Sequence, residues 1–172
     1  MAYKGEPIRN LAPLKLGHRS CELIIVSGDG VNACGHMLVR MPAETGGTES
    51  VFHIGDVLDF PYWMPASEFP RYIAENKKKL IGMKSIILSR PQDAETYLSK
   101  AILDKWLWGM VANNCVSFCE EYIAAGGADY TMWTNCPVKY DSKNPQEYVE
   151  GWLDDLSRRA TFEINRTIGV PF

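Results

Sequence analysis

The chain has little that would commit it to a membrane, a nucleic acid or a nucleotide. None of its 172 residues falls in a run approaching the ~18 consecutive apolar positions of a transmembrane helix, so no such helix is expected. The opening MAYKGEPIRNLAPLKLGHRS lacks an apolar h-region, and no ordinary signal peptide is visible. No GxGxxG or Walker A pattern occurs, which removes the usual phosphate cradles; Gly28-Asp29-Gly30 is too short for one and reads as a turn. Clustered positive charge is also missing. Net charge is −3, and Lys77-Lys78-Lys79 is the only basic run, better explained as a solvated helix end than as a DNA or RNA site. The five cysteines are odd in number and include no CxxC pair, which argues against a disulfide framework and for synthesis in a reducing cytoplasm. Action outside the cell would then need a specialised export route. Histidine is scarce too, with three residues, and that scarcity narrows the search for chemistry.

What is present is a globular composition, 46% hydrophobic and 23% charged, long enough for one buried core. A single domain over 1–172 is expected, with its core at about 20–127 and a helical and loop extension at 128–172. Residues 1–20 read as an irregular lead-in. Cys21–Ser27, Gly35–Met41 and Val51–Leu58 are strand-like and joined by short Gly- and Pro-marked loops, which predicts an antiparallel meander. A helix is expected from Ser67 to about Leu80, then a strand at Ile81–Ser89. Asp93 is read as the N-cap of a helix reaching Trp108. A further helix starts near Cys115 and stops at Gly126-Gly127. Asp129–Lys143 reads as an aromatic loop and Gln146–Arg159 as an amphipathic helix. The class is α+β, a small antiparallel sheet packed against helices.

Within that frame Cys115 stands out, in Asn113-Asn114-Cys115-Val116-Ser117-Phe118 at a predicted helix start. A thiol there feels the positive end of the helix dipole and unpaired N–H groups, which favour the nucleophilic thiolate. His36 and His53 precede it on consecutive predicted strands. A cysteine at a helix start with strand histidines is the equipment of a cysteine hydrolase or acyltransferase. Cys115 would attack a carbonyl carbon, His36 would serve as its acid–base partner, and His53 would orient His36. The Cys115 amide is a candidate oxyanion donor. Glu49 and Asp56 are alternatives for the orienting role. Strand alternation puts His53 opposite in facing to Asp56, and Glu49 sits in the preceding loop. Cys119, one turn inside the helix, is expected to be core filler, and Cys21, Cys34 and Cys136 structural. His18 is expected to be exposed or locally bonded. Tyr62, Trp63, Trp106, Trp108, Trp133 and Tyr140 are candidate groove residues, with the Tyr130–Tyr140 loop favoured.

The stretch NCVSFCEEYIAAGG, with Gly35-His36-Met37-Leu38-Val39 and Val51-Phe52-His53-Ile54-Gly55 before it, resembles circularly permuted papain-like enzymes. These include permuted NlpC/P60 members and lecithin:retinol acyltransferase-like proteins. The resemblance rests on short motifs in a shared order over about residues 20–127. It implies a permuted papain-like fold with the nucleophile at a helix N-terminus, a catalytic set of Cys115, His36 and His53, and no cofactor. It further implies cleavage of peptide bonds in peptidoglycan stems. By analogy of size, it suggests an antibacterial effector exported by a type VI-like machine to a target-cell periplasm, with a carrier and an immunity protein as partners. An acyltransferase or lipid esterase of the lecithin:retinol acyltransferase kind is the alternative, matched by the second histidine at His53. A third reading is a non-catalytic zinc-stabilised binding module using Cys34, His36 and Cys115.

Overall fold

The computed structural model describes residues 2–27, 35–55, 58–107 and 115–128. In chain order the strands are β1 (Glu6–Pro7), β2 (Ser20–Val26), β3 (His36–Met41), β4 (Ser50–His53), β5 (Leu58–Asp59), β6 (Tyr62–Pro65), β7 (Leu80–Ile87) and β8 (Trp106–Leu107). The helices are α1 (Phe69–Glu75), α2 (Pro91–Ala101) and α3 (Cys115–Ala125). Six strands form one antiparallel sheet in the order β1-β6-β4-β3-β2-β7, while β5 and β8 pair separately. The expected meander is its centre: β2 pairs with β3 from Glu22↔Arg40 to Val26↔His36, and β3 with β4 from Val39↔Phe52 to Met41↔Ser50.

The apolar run of β2 has its explanation in the two sides of this sheet. Alternating side chains leave opposite faces, and both faces are covered. Leu23, Ile25, Met37, Val39 and Phe52 enter one core with α2 and α3; Ile24, Val26, Leu38, Val51 and Met64 enter another with Tyr72 of α1. A strand buried on both faces reads as continuously hydrophobic. On α3, Cys115, Phe118, Cys119, Tyr122 and Ile123 are buried, the i, i+3, i+4, i+7, i+8 stripe of a core-facing helix. Each large apolar side chain there contributes about 1.5–3 kcal/mol by leaving water. The helix ends as expected at its glycines. Gly127 takes φ 73, and the Ala128 N–H donates to the Ile123 carbonyl at 3.2 Å.

Several boundaries differ from the expectation. The third strand stops at His53 rather than Leu58, because the ladder to β6 ends at His53↔Tyr62 and Leu58–Asp59 turns to β8. The helix expected from Ser67 to Leu80 is shorter: a 3-10 turn at Ala66–Glu68 leads into α1, and Lys77 adopts φ 52 beyond its end. Asn76 closes α1 with its side-chain amide donating to the Tyr72 and Tyr3 carbonyls at 2.8 and 2.6 Å. Leu80 pairs instead with Val26, so sheet hydrogen bonding claims the end of the predicted helix. α2 begins with Pro91, which needs no N–H partner in a first turn, and Arg90, not Asp93, is its N-cap. α2 ends at Ala101, and Trp106 is extended in β8. The lead-in holds β1 and a 3-10 turn at Ala12–Leu14. Among the described residues no helix is long and apolar enough to cross a membrane. The expected 129–143 loop and 146–159 helix lie outside the described residues.

Candidate functional site

The first and last residues of two neighbouring strands meet here. His36 opens β3 and His53 closes β4, and the ladder between them runs no further than Val39↔Phe52. His36 Nε2 lies 2.9 Å from His53 Nδ1, with the rings edge-to-face at 4.9 Å between centroids. His53 Nε2 in turn lies 2.9 Å from the Lys4 carbonyl oxygen. Tyr62 stacks on the His53 ring at 5.6 Å and Tyr72 leans against it at 5.3 Å. His53 is 1% exposed and His36 9%.

This chain of contacts assigns the protons. A carbonyl oxygen only accepts, so His53 Nε2 carries its hydrogen. In the neutral form of His53 its Nδ1 then accepts, which makes His36 Nε2 the donor. The lone pair of the pair is thereby left at His36 Nδ1, the atom a general base would use. Burial holds His36 well below the ordinary histidine range, reinforced by His53 and by Lys78. His36 therefore rests neutral.

Cys115 is the first described residue of α3 and is 4% exposed. Burial pushes its thiol up to about 11, while the backbone amides of Met37, Val116 and Cys115 itself, and the charge of Lys78, pull the other way. The sequence favours a lowered thiol; in the structure the loss of water outweighs the amides, and the resting form is the neutral thiol. Asn113 and Asn114 lie outside the described residues.

The pleat also separates the three residues. His36 and His53 share strand parity with Leu38 and Val51, on the α1 side, whereas α3 packs on the side of Met37, Val39 and Phe52. The thiol reaches β3 at the Met37 amide, one residue along from His36. No hydrogen bond joins it to either imidazole among the described residues. The structure thus unites His36 with His53, and brings Cys115 beside their strand with no hydrogen bond to either ring among the described residues.

The alternatives sort by what they touch. Glu49 receives two hydrogen bonds at 3.0 Å from Arg40, which also meets Glu22 at 3.3 Å, so its carboxylate is committed to a guanidinium. Asp56 lies outside the described residues. Burial pushes Cys119 well above the usual thiol range and Cys21 to about 12, in keeping with core positions. Tyr62 is buried under His53 rather than lining a groove, and Trp63 is packed against the α3-side core. Trp108, Trp133, Tyr140, Cys34 and Cys136 lie outside the described residues. His18 departs from its expectation. It is buried, and its Nδ1 lies 3.0 Å from the Tyr122 hydroxyl, far away in sequence. Among the described residues no three His, Cys, Asp or Glu side chains gather as metal ligands.

Lys4 is the participant that sequence reasoning misses, because it acts through a main-chain carbonyl that any residue carries. Gly5 is its one trace in the sequence. Gly5 has φ 84, and a Cβ there would lie 2.3 Å from the Trp63 carbonyl oxygen. Only glycine lets β1 press this closely on β6 and deliver the preceding carbonyl to His53.

Comparison with protein-family models, with curated proteins and with solved structures found no match.

Proposed function

We propose that this protein is a cysteine hydrolase of permuted papain-like arrangement, with Cys115 as nucleophile, His36 as acid–base partner and His53 as the positioning residue. The observation that carries the reading is the directed chain Lys4 carbonyl–His53–His36, which leaves one basic nitrogen at a defined place beside the strand that Cys115 abuts. A hydrophobic core gains little from two buried imidazoles, whose polar atoms all need partners. An acid–base catalyst needs this fixed tautomer.

Because thiol and imidazole both rest neutral, proton transfer accompanies attack rather than preceding it. Attack requires Cys115 Sγ to reach His36 Nδ1 around the N-terminal end of β3, where both residues lie. The thiol proton moves to Nδ1 as sulfur bonds to the carbonyl carbon, and the oxyanion is met by the Cys115 amide. His36 then returns the proton to the leaving nitrogen as the C–N bond breaks, leaving a thioacyl-enzyme that water hydrolyses. The resemblance favours peptide bonds of peptidoglycan stems as substrate. It also suggests export by a type VI-like route to a target periplasm, with an immunity protein in the producing cell.

A second reading, acyl transfer or lipid ester cleavage, is favoured by one observation: the positioning residue is a histidine on the following strand, as in lecithin:retinol acyltransferase-like proteins. The deciding experiment assays peptidoglycan fragments and acyl esters side by side with the wild type, Cys115→Ala and Cys119→Ala. Activity lost only in Cys115→Ala supports the proposal. Equal behaviour of the two variants on every substrate removes Cys115 as nucleophile.

A further inference from the structure

We propose that β7, the open edge of the six-stranded sheet, pairs with β7 of a second copy of this chain, antiparallel about a two-fold axis through Ser85. β7 ends the strand order and pairs only with β2 among the described residues. The direction of its backbone groups follows from that ladder. The Leu88 N–H donates to the Arg19 carbonyl at 2.9 Å, and these two residues continue the register Ser20↔Ile87. Hydrogen-bonded pairs alternate along an antiparallel ladder, so Ile86, Lys84 and Gly82 turn their N–H and C=O groups to β2. Those of Met83, Ser85 and Ile87 face outward, a template for another strand. The side chains here are also left uncovered. Of the large hydrophobics exposed among the described residues, Leu80 (49%), Met83 (42%) and Ile87 (84%) belong to β7. All three lie on the α1 side of the sheet. Leu80 and Met83 stand opposite Val26 and Ile24, which pack with Tyr72, and Ile87 shares the parity of Met83.

The strand matches itself in charge and polarity, which names the occupant. A second β7 must set outward residues against outward residues, and the registers near the middle of the strand differ sharply. Centred on Lys84, the only charge of β7, two ammonium groups would stand opposite each other, a destabilising pair. Centred on Ile86, Met83 and Ile87 would each meet a serine, Ser89 and Ser85 of the other copy. Centred on Ser85, Met83 of each copy meets Ile87 of the other, the serines meet on the axis, and Lys84 faces Ile86. In that register each outward pair exchanges both its N–H···O bonds. Apolar side chains cover each other and no charge opposes a like charge. One strand edge is a small interface, so the dimer should dissociate at about 10–100 µM.

None of this depends on the role of Cys115. Sedimentation equilibrium of the full chain over about 1–500 µM should show a reversible monomer–dimer equilibrium. Ser85→Pro removes the N–H on the axis, which β2 does not use, and should be monomeric throughout with unchanged circular dichroism. Ile87→Glu and Met83→Lys, at exposed positions, should each weaken the dimer at least about tenfold. Combined in one chain they should restore it, because the register sets the two introduced charges, of opposite sign, against each other. A monomer at every concentration, with the edge met by solvent or by the chain itself, would overturn the proposal. So would a dimer indifferent to Ile87→Glu, which keeps the question open to refutation even if Ser85→Pro does not fold. A double variant as weak as the single ones would overturn the pairing about Ser85.

Discussion

Acid stability is where the neutral His36 exposes itself most directly. His36 is buried, and its folded-state proton affinity is held well below the ordinary value of 6.5. A base lowered in the folded state adds nothing to stability differences at high pH, where both states are neutral. As pH falls below the unfolded value, the unfolded chain gains a proton and the folded one does not, so stability is lost. While His36 stays neutral, its penalty is RT ln(1 + 10^(6.5−pH)), which grows by about 1.7 kcal/mol between pH 6.5 and 5 and approaches ~1.4 kcal/mol per unit. Carboxylates are still largely ionised in that window, so the slope belongs to histidine. His18, lowered mainly by its own burial, adds to it in the same direction. His36→Gln places a neutral amide N–H where Nε2–H donates to His53 and removes only the His36 share. Urea unfolding of both proteins at pH 7.0, 6.0, 5.5 and 5.0 isolates that share by subtraction. The variant should be less stable at pH 7 and markedly flatter, the two curves converging by about 1.9 kcal/mol between pH 7 and pH 5. Parallel curves would show that His36 titrates normally in the folded protein, and its assignment as a neutral imidazole would be wrong.

Iodoacetamide labelling of Cys115 in the free protein should be slow at pH 7 and rise by about tenfold per unit toward pH 10, following a thiol pushed up to about 11. A plateau already reached by pH 7, located by mass spectrometry, would instead mean a resting thiolate. Gly5→Ala should displace the Lys4 carbonyl from His53, since its Cβ would collide with the Trp63 carbonyl. The expected result is a loss of about 2–4 kcal/mol in denaturant midpoint analysis, together with reduced turnover; wild-type values for both would remove β1 from the site. Phe118→Ala empties a fully buried position on α3 and should cost about 3–5 kcal/mol by urea titration. A loss below about 1 kcal/mol would mean that α3 does not pack on the sheet as described.

The strand segments were legible because their signal is local. Cys21–Val26 and His36–Met41 are β-branched or long apolar runs closed by turn residues, and α3 combines a core-facing stripe with a double-glycine stop. The pairing of His36 with His53 was likewise readable, as two histidines of suitable parity on consecutive strands. Long-range competition settled the rest. Leu80 left its predicted helix to pair with Val26, and Trp106 left its own to pair with Asp59, because backbone hydrogen bonding to a distant strand outweighs local helical preference.

By itself, then, the amino-acid order determined the α+β class, the central meander, the end of α3 and the residue types available for chemistry. Tertiary structure alone decided that a Lys4 carbonyl orders the histidine protons, that Glu49 belongs to Arg40, and that His18 reaches Tyr122 across the core. It also decided that Cys115 rests as a neutral thiol on the far side of the pleat from its proposed partners. Such facts depend on which atoms lose their water and on which partner arrives from elsewhere in the chain. Neither is encoded in a residue's immediate neighbours.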